Sequence, residues 1–421
     1  MRYSQFGNFL NSGSGILRLM EDIDYALSGP DPMLLLGGGN PAHIPAVQQI
    51  FREEMLALLN DGDRFEKLSG NYDGAKGNTR FIRVLAEMLR VHCGWDIGPE
   101  HIAITNGSQS SFYILFHLFA GLDANSDFKK ILLPIAPEYI GYTDVGMGIN
   151  LFHSYQPTIE LRGDHEFKYH IDFERLRVTQ EIGAIAVSRP TNPTGNVLSD
   201  QELGTLRALA SDNEIPLILD SAYGAPFPNI VFPDVTTPWD ENAILCLSLS
   251  KLGLPGLRTG IIVAREEIIR AVAGANAIMS LAPTSIGPTL ITKIVEDGRI
   301  LEMANHLVRP FYQARAQQAV SWVNAAMGDL PCRVHTPEGA IFLWLWFDGL
   351  PISSEELYQR LKRRGVLIVS GEHFFPGLKN PWQHQHECIR VSYARDAETV
   401  DRKSTRLKSS HSSVSRMPSS A

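Results

Sequence analysis

Lys251 stands in the run Ser248-Leu-Ser-Lys251-Leu-Gly-Leu-Pro-Gly-Leu-Arg258, directly after an apolar stretch and ahead of a Gly/Pro-rich loop. Lysine is rarely buried without a partner. A lysine amine whose surroundings lower its pKa can condense with a carbonyl ligand to form an imine. Arg258 offers a planar, permanently charged fork for a phosphate or carboxylate. Read alone, the run serves equally well as a surface turn. Upstream, PLILDSAYG puts Asp220 at the end of an apolar strand, with Tyr223 close behind. A strand-end carboxylate can keep a heteroaromatic ring nitrogen protonated, which turns the ring into an electron sink, and a nearby phenol can hydrogen-bond a ring oxygen. The plain structural use of Asp220 is a turn or helix cap. SRPTNPTG follows another strand and holds Asn192 between Pro190 and Pro193, which stiffen the loop; its amide can reach the same ring oxygen. Thr105-Asn-Gly-Ser-Gln109 follows HIAIT and opens a helix, whose free N–H groups can take up a phosphate.

These residues need a scaffold that brings strand ends together. The chain has 421 residues, enough for two domains, with 44% hydrophobic and 20% charged residues, ordinary values for a globular protein. Short β-branched runs alternate with longer amphipathic stretches, the pattern of a mostly parallel α/β sheet. Expected strands are His101–Thr105, Lys130–Leu133, Ala184–Val187, Pro216–Leu219 and Ala243–Leu247; expected helices are Thr79–His92 and Gln201–Asn213, the latter capped by Ser199. In such sheets functional groups gather where strands end. From Ile291 to Ala326 the pattern is helical, with a kink expected at Arg309-Pro310. AIFLWLWF, GVLIVSG and CIRVSYA then read as a smaller α/β unit that also takes in the N-terminal segment. The expected division is 50–308 for the large domain and 1–49 with 309–400 for the small one.

Together the motifs identify a family. TNGSQ, APEYIGY, SRPTNPTG, DSAYG and SLSKLGLPGLR resemble, in order and spacing, the fold-type I aminotransferases of the aspartate aminotransferase superfamily. The resemblance runs over nearly all of residues 1 to 400. It implies an α/β fold whose large domain carries a mostly parallel seven-stranded sheet beside a smaller α/β domain, with pyridoxal 5′-phosphate as cofactor. By the same resemblance Lys251 is the Schiff-base lysine and proton shuttle, Asp220 the partner of the ring nitrogen, and Tyr223 with Asn192 the contacts of the ring oxygen. Tyr139 stacks on the ring. Gly107, Ser108, Gln109, Ser248 and Arg258 surround the phosphate, and Tyr72 reaches it from a neighbouring subunit, which implies a homodimer with shared active sites. Gly38 and Gly39 form a loop over the substrate, in a run of three glycines whose register is open by one, and Arg390 grips the α-carboxylate. GGGNPAHIP, NYDGAKG, LAPEYIGY and GAIFLWLWF most resemble the branch that exchanges amino groups between valine and pyruvate. That branch implies ping-pong conversion of L-valine and pyruvate to 3-methyl-2-oxobutanoate and L-alanine.

Other readings share these residues. Aminotransferases for other small aliphatic or aromatic amino acids, and C–S lyases of the same fold, use the same lysine, aspartate and arginine. A ligand-sensing regulator of this fold carries a DNA-binding domain ahead of it, for which the position of GGGNP near Met1 leaves no room. The net charge of −8 argues against a nucleic-acid partner. No apolar run approaches the roughly 20 residues of a membrane helix, and no secretory signal is visible. Four widely spaced cysteines with no CxxC pair suit a reducing cytoplasm. His384-Gln-His-Glu-Cys388 has the look of a ligand run but reads as packed or solvated histidines, so no metal is expected. Residues 401–421 turn abruptly rich in Ser and basic residues. Asp401 to His411 resembles a translated sequencing-adapter oligonucleotide, and the expectation is a non-native, disordered tail.

Overall fold

The computed structural model describes residues 2–11, 17, 20–22, 24–25, 33–328 and 330–394; the expected tail, 401–421, lies outside the described residues. The central sheet follows from apolar runs buried on both faces, as parallel strands require. Its order is Ile102–Thr105, Gly260–Val263, Ala243–Ser248, Leu217–Asp220, Ile182–Ser188, Phe128–Leu133 and Gly121–Leu122, and Phe152–Ser154 pairs with Phe128–Leu133. Only Gly260–Val263 and the two-residue strand Gly121–Leu122 run against the rest. The expected seven strands are there, and the short Gly121–Leu122 makes an eighth. All five strands read from the sequence appear within two residues of their expected bounds.

Register decides what this sheet can do. Asp220 lies opposite Ser188 on one neighbour and Cys246 on the other, so the carboxyl ends of these strands are level. Ser248 pairs with Gly260, which pairs with Thr105. The loops leaving Thr105, Ser188, Asp220 and Ser248 therefore open along one edge, where α/β sheets bind ligands.

Helices cover both faces. Thr79–Cys93 starts at Asn78, whose side chain accepts the Phe81 N–H, and stops at Gly94 in the left-handed conformation (φ 68°). Phe81, Ile82, Leu85, Met88 and Leu89 form its buried stripe. Asp200–Asp212 begins with a full capping box: the Ser199 side chain accepts the Glu202 N–H, and Glu202 accepts the Ser199 N–H. The expected break near Pro310 is present, and it takes the form of a π-helical turn, Met303–Val308, between the helices Arg299–Glu302 and Arg309–Met327. Pro310 has no N–H to offer the carbonyl four residues back, and a wider turn just ahead of it absorbs the mismatch.

A second sheet runs in the order Val369–Ser370, Cys388–Ser392, Phe342–Phe347, Cys332–His335, Glu166–His170, Thr158–Arg162. The last two strands form a hairpin drawn from the middle of the chain. Leu34–Leu35 pairs in parallel with Val366–Leu367, and Leu36 O accepts the Ser392 N–H at 2.8 Å. These bonds deliver Gly37–Gly39 beside Arg390. Among the described residues no helix is long and apolar enough to cross a membrane. Ser199→Ala should lower stability by about 1 kcal/mol through loss of the cap, read as a lower denaturant midpoint at unchanged slope.

Candidate active site

The level strand ends enclose a cavity of about 420 Å³, a size that suits a small organic ligand. Lys251 enters it from the turn after Ala243–Ser248. Its Nζ donates to Gly39 O at 2.6 Å and lies 5.2 Å from the Tyr223 ring centre. Burial, then the positive charge of Arg390, pull this amine from 10.5 down to about 8, while Asp220 opposes the shift. A sizeable neutral fraction is therefore available near neutral pH, the form that attacks a carbonyl.

Asp220 ends its strand almost fully buried. Oδ1 accepts the Ala222 N–H at 2.9 Å and Oδ2 accepts the Tyr142 hydroxyl at 2.8 Å. Burial pushes its carboxyl up to about 6, against the pull of those two bonds and of Lys251. Tyr223, on the turn that follows, is buried, and its phenol is raised well above the ordinary value by desolvation.

Arg390 comes from the second sheet, opposite Trp344. Its guanidinium carbon lies 4.1 Å from the Phe342 ring centre and 5.1 Å from that of Phe374. Nη1 donates to Asn192 Oδ1 and Nη2 to Gly37 O, each at 2.8 Å, while the buried Nε has no partner. Burial lowers its pKa to about 10, so it stays a cation at neutral pH. Asn192 is thereby tied to Arg390 across two sheets.

At the other end, Ser108 and Gln109 open the helix Ser108–Phe119 behind Gly107, whose φ is 88°. A Cβ at position 107 would stand 2.3 Å from Arg258 Nη2, so only glycine lets the guanidinium approach. Arg258 itself has φ 49°. Gln109 Nε2 donates to Gly141 O at 2.7 Å, and its buried Oε1 has no partner.

Gly38, Gly39, Ser108, Gln109, Tyr139, Asn192, Asp220, Tyr223, Lys251, Arg258 and Arg390 line this one cavity. In the glycine run Gly38 and Gly39 line the cavity, and Gly37 supplies the carbonyl to Arg390. Two expected residues stand back from the lining. Gly107 backs Arg258. Ser248 is fully buried, with its Oγ accepting the Ser250 N–H at 3.1 Å, and Ser250 lines the cavity in its place. Tyr72 lies outside the cavity and is 84% exposed.

Sequence reasoning missed a buried layer behind Asp220. Glu138 and Tyr142 form it, joined through Ser188, which also lines the cavity, and its only signal was a carboxylate between Pro137 and Tyr139 in an apolar segment. It also missed Met20 and Asp24, which line the mouth of the cavity. Between them Asp22 binds Lys362 Nζ at 2.5 Å and accepts the Tyr358 hydroxyl. Nothing local in the sequence marks that pairing.

Residues 69–407 match the family described as aminotransferase class I and II. The chain is 49% identical over 401 residues to the valine–pyruvate aminotransferase of Escherichia coli K12, covering 95% of this chain and 96% of that one. The crystal structure of valine–pyruvate aminotransferase from Salmonella typhimurium LT2 superposes with a TM-score of 0.87 at 46% identity, covering 96% and 100% of the two chains. A crystal structure from Psychrobacter arcticum 273-4 superposes at 0.96 with 45% identity over 99% of both. With a lysine, a buried carboxylate and two arginines converging at the strand ends, the chain belongs to the class I and II aminotransferases.

Proposed function

We propose that this enzyme moves the amino group of L-valine to pyruvate, giving 3-methyl-2-oxobutanoate and L-alanine by a ping-pong mechanism with pyridoxal 5′-phosphate. The observation that carries the reading is the placement of the Lys251 amine in one cavity with Asp220 and two arginines. The near-full-length likeness to a valine–pyruvate aminotransferase supports the substrate pair.

The residues present fit the cofactor. Arg258, with Ser108 and the backbone N–H groups at the start of the helix Ser108–Phe119, makes a cationic cradle in which a side chain at position 107 would collide with the guanidinium. Asp220 is a carboxylate in need of a buried cation, and a protonated ring nitrogen is one. When bound, pyridoxal phosphate supplies an aldehyde for the amino group and an electron-withdrawing ring.

The protein's own groups do the rest. Lys251 offers the amine that holds the aldehyde between turnovers, and once displaced it carries the proton between the substrate Cα and the cofactor C4′. Asp220 keeps the proton on the ring nitrogen. Tyr223 and Asn192 contact the ring oxygen, and Tyr139 faces the ring. Ser108, Gln109 and Arg258 would hold the phosphate, with Gly107 admitting the Arg258 guanidinium and Ser248 bracing the turn through the Ser250 N–H. Arg390 takes the α-carboxylate as a planar pair, already oriented by Asn192 and Gly37, with Gly38 and Gly39 closing over the substrate. The rings of Phe342 and Phe374 pack against the guanidinium, which is buried.

The proposed assembly is a homodimer in which Tyr72 reaches the partner's phosphate site. Its exposure, together with exposed Ile278, Met279, Leu281 and Ile286, supports a covered face there. All four thiols are unpaired, which suits the cytoplasm.

With pyruvate as acceptor, L-valine should be a good donor. Amino acids one methylene away should follow within about 10–200-fold in kcat/KM, and a substrate panel in which valine is inert would refute the proposal. Lys251→Ala should lose the cofactor colour, the borohydride-trapped adduct and nearly all turnover; a variant that keeps them removes the assignment. Tyr72→Phe should weaken cofactor affinity roughly tenfold, the worth of one hydrogen bond to a charged group, measured by titrating apoenzyme. Unchanged affinity rules out the shared site.

A further inference from the structure

Glu138 is a carboxyl group of zero exposure that the mechanism does not use. Oε1 accepts the Ser188 N–H at 2.8 Å, Oε2 lies 2.6 Å from Ser188 Oγ, and the Tyr139 N–H reaches Oε2 at 3.2 Å. Its own N–H donates to Phe374 O at 2.8 Å. Ser188 Oγ stands 3.5 Å from Tyr142 Oη, which donates to Asp220 Oδ2. Two buried carboxyl groups are thus joined by two hydroxyls, with no cation bonded to either oxygen of Glu138 among the described residues.

The charged groups on the surrounding elements do not neutralise it. Asp220 acts on it as a like charge. Arg189, beside Ser188, turns away to Asp200 at 2.7 Å. His373 and Glu372, ahead of Phe374, face Glu355 and His386 at 3.5 and 3.0 Å. Lys251, Arg258 and Arg390 face the cavity, which Glu138 does not line. An isolated buried carboxylate is so costly that such groups take up a proton instead.

Where the proton sits sets the direction of the chain. With Glu138 ionised, the Ser188 hydroxyl turns back to it. With Glu138 protonated, its O–H donates to Ser188 Oγ, the Ser188 O–H is free to point at Tyr142 Oη, and the Tyr142 O–H points at Asp220. Each hydroxyl then accepts one bond and donates the next, an arrangement that strengthens every member. We propose that Glu138 carries a proton at neutral pH and is a positioning residue for amino transfer, turning the Ser188 hydroxyl toward Tyr142, keeping Tyr142 a donor to Asp220, and leaving Asp220 the one negative charge of this buried group. The final clause rests on the role proposed above for Asp220. In support, burial, with the Asp220 charge adding to it, lifts the Glu138 carboxyl from 4.5 to about 8, so it is protonated below that pH and ionises above it.

Infrared difference spectra between wild type and Glu138→Gln, recorded with and without cofactor at neutral pH, read the proton directly. The expected result is a carboxylic-acid carbonyl band in wild type that the variant lacks; carboxylate bands alone overturn the proposal. Glu138→Ala should lower turnover roughly tenfold, the worth of one buried hydrogen bond. Glu138→Gln, which donates to Ser188 Oγ and accepts from its N–H, should restore most of it. The wild-type single-turnover rate should fall as pH rises through about 8, and E138Q should lack that limb. Full turnover in Glu138→Ala, or a limb that persists in E138Q, overturns the positioning role. The infrared band is also read on apoprotein, so failure of the amino-transfer reading would leave it intact and would appear instead in Lys251→Ala.

Discussion

Asp220, Lys251 and Arg390 would each be expensive to bury alone; hydrogen bonds and the attraction between Lys251 and Asp220 offset part of that cost, while Arg390 works against Lys251. An ionised group moved into a protein interior loses hydration that only hydrogen bonds and opposite charge replace. Asp220 has two donors and a lysine; Arg390 has two carbonyl-type acceptors and two aromatic faces; Lys251 has the Gly39 carbonyl. The compensation is incomplete, and the directions of the shifts say so. The carboxyl is raised, and the amine and guanidinium are lowered. The orphaned Arg390 Nε belongs to the same deficit. A ligand that is anionic at one end and carries a cationic ring and a second carboxylate supplies what the cavity lacks.

The arrangement holds only if register holds. A slip of one residue in the pairing of Leu217–Asp220 with its neighbours would turn the carboxylate to the opposite face of the sheet. That register is specified by core packing: Leu217, Ile218 and Leu219 are all buried, as are their partners in the flanking strands. The apolar runs and the reactive residues are thus one design, with each strand ending where its chemistry begins.

Much of this was legible in the chain. Lys251, Asp220, Asn192 and Arg258 combine a reactive type with a position at the end of an apolar run, and both properties are local. The sheet, the two expected helices and the break at Pro310 were equally local, since periodicity, caps and a missing N–H are written over a few residues. What escaped was non-local. Ser248 and Ser250 look alike in sequence; the first ends the strand, fully buried, and the second lies in the turn beyond it, where the chain leaves the sheet. Glu138 reads as an ordinary carboxylate until the fold seals it behind Asp220. Met20 and Asp24 reach the cavity because Asp22 finds Lys362 and Tyr358 far along the chain. The hairpin Thr158–His170 joins the second sheet by a parallel pairing with Cys332–His335 that no short segment announces.

Arg390 has a further consequence through its place in the chain. It lies on the strand Cys388–Ser392, yet its partners are Gly37 and Asn192, and Lys251 is bonded to Gly39. The bond from Arg390 to Gly37 spans 353 positions of the chain, so this part of the pocket is a product of long-range closure: it exists only once the second sheet has assembled and drawn the glycine segment onto it.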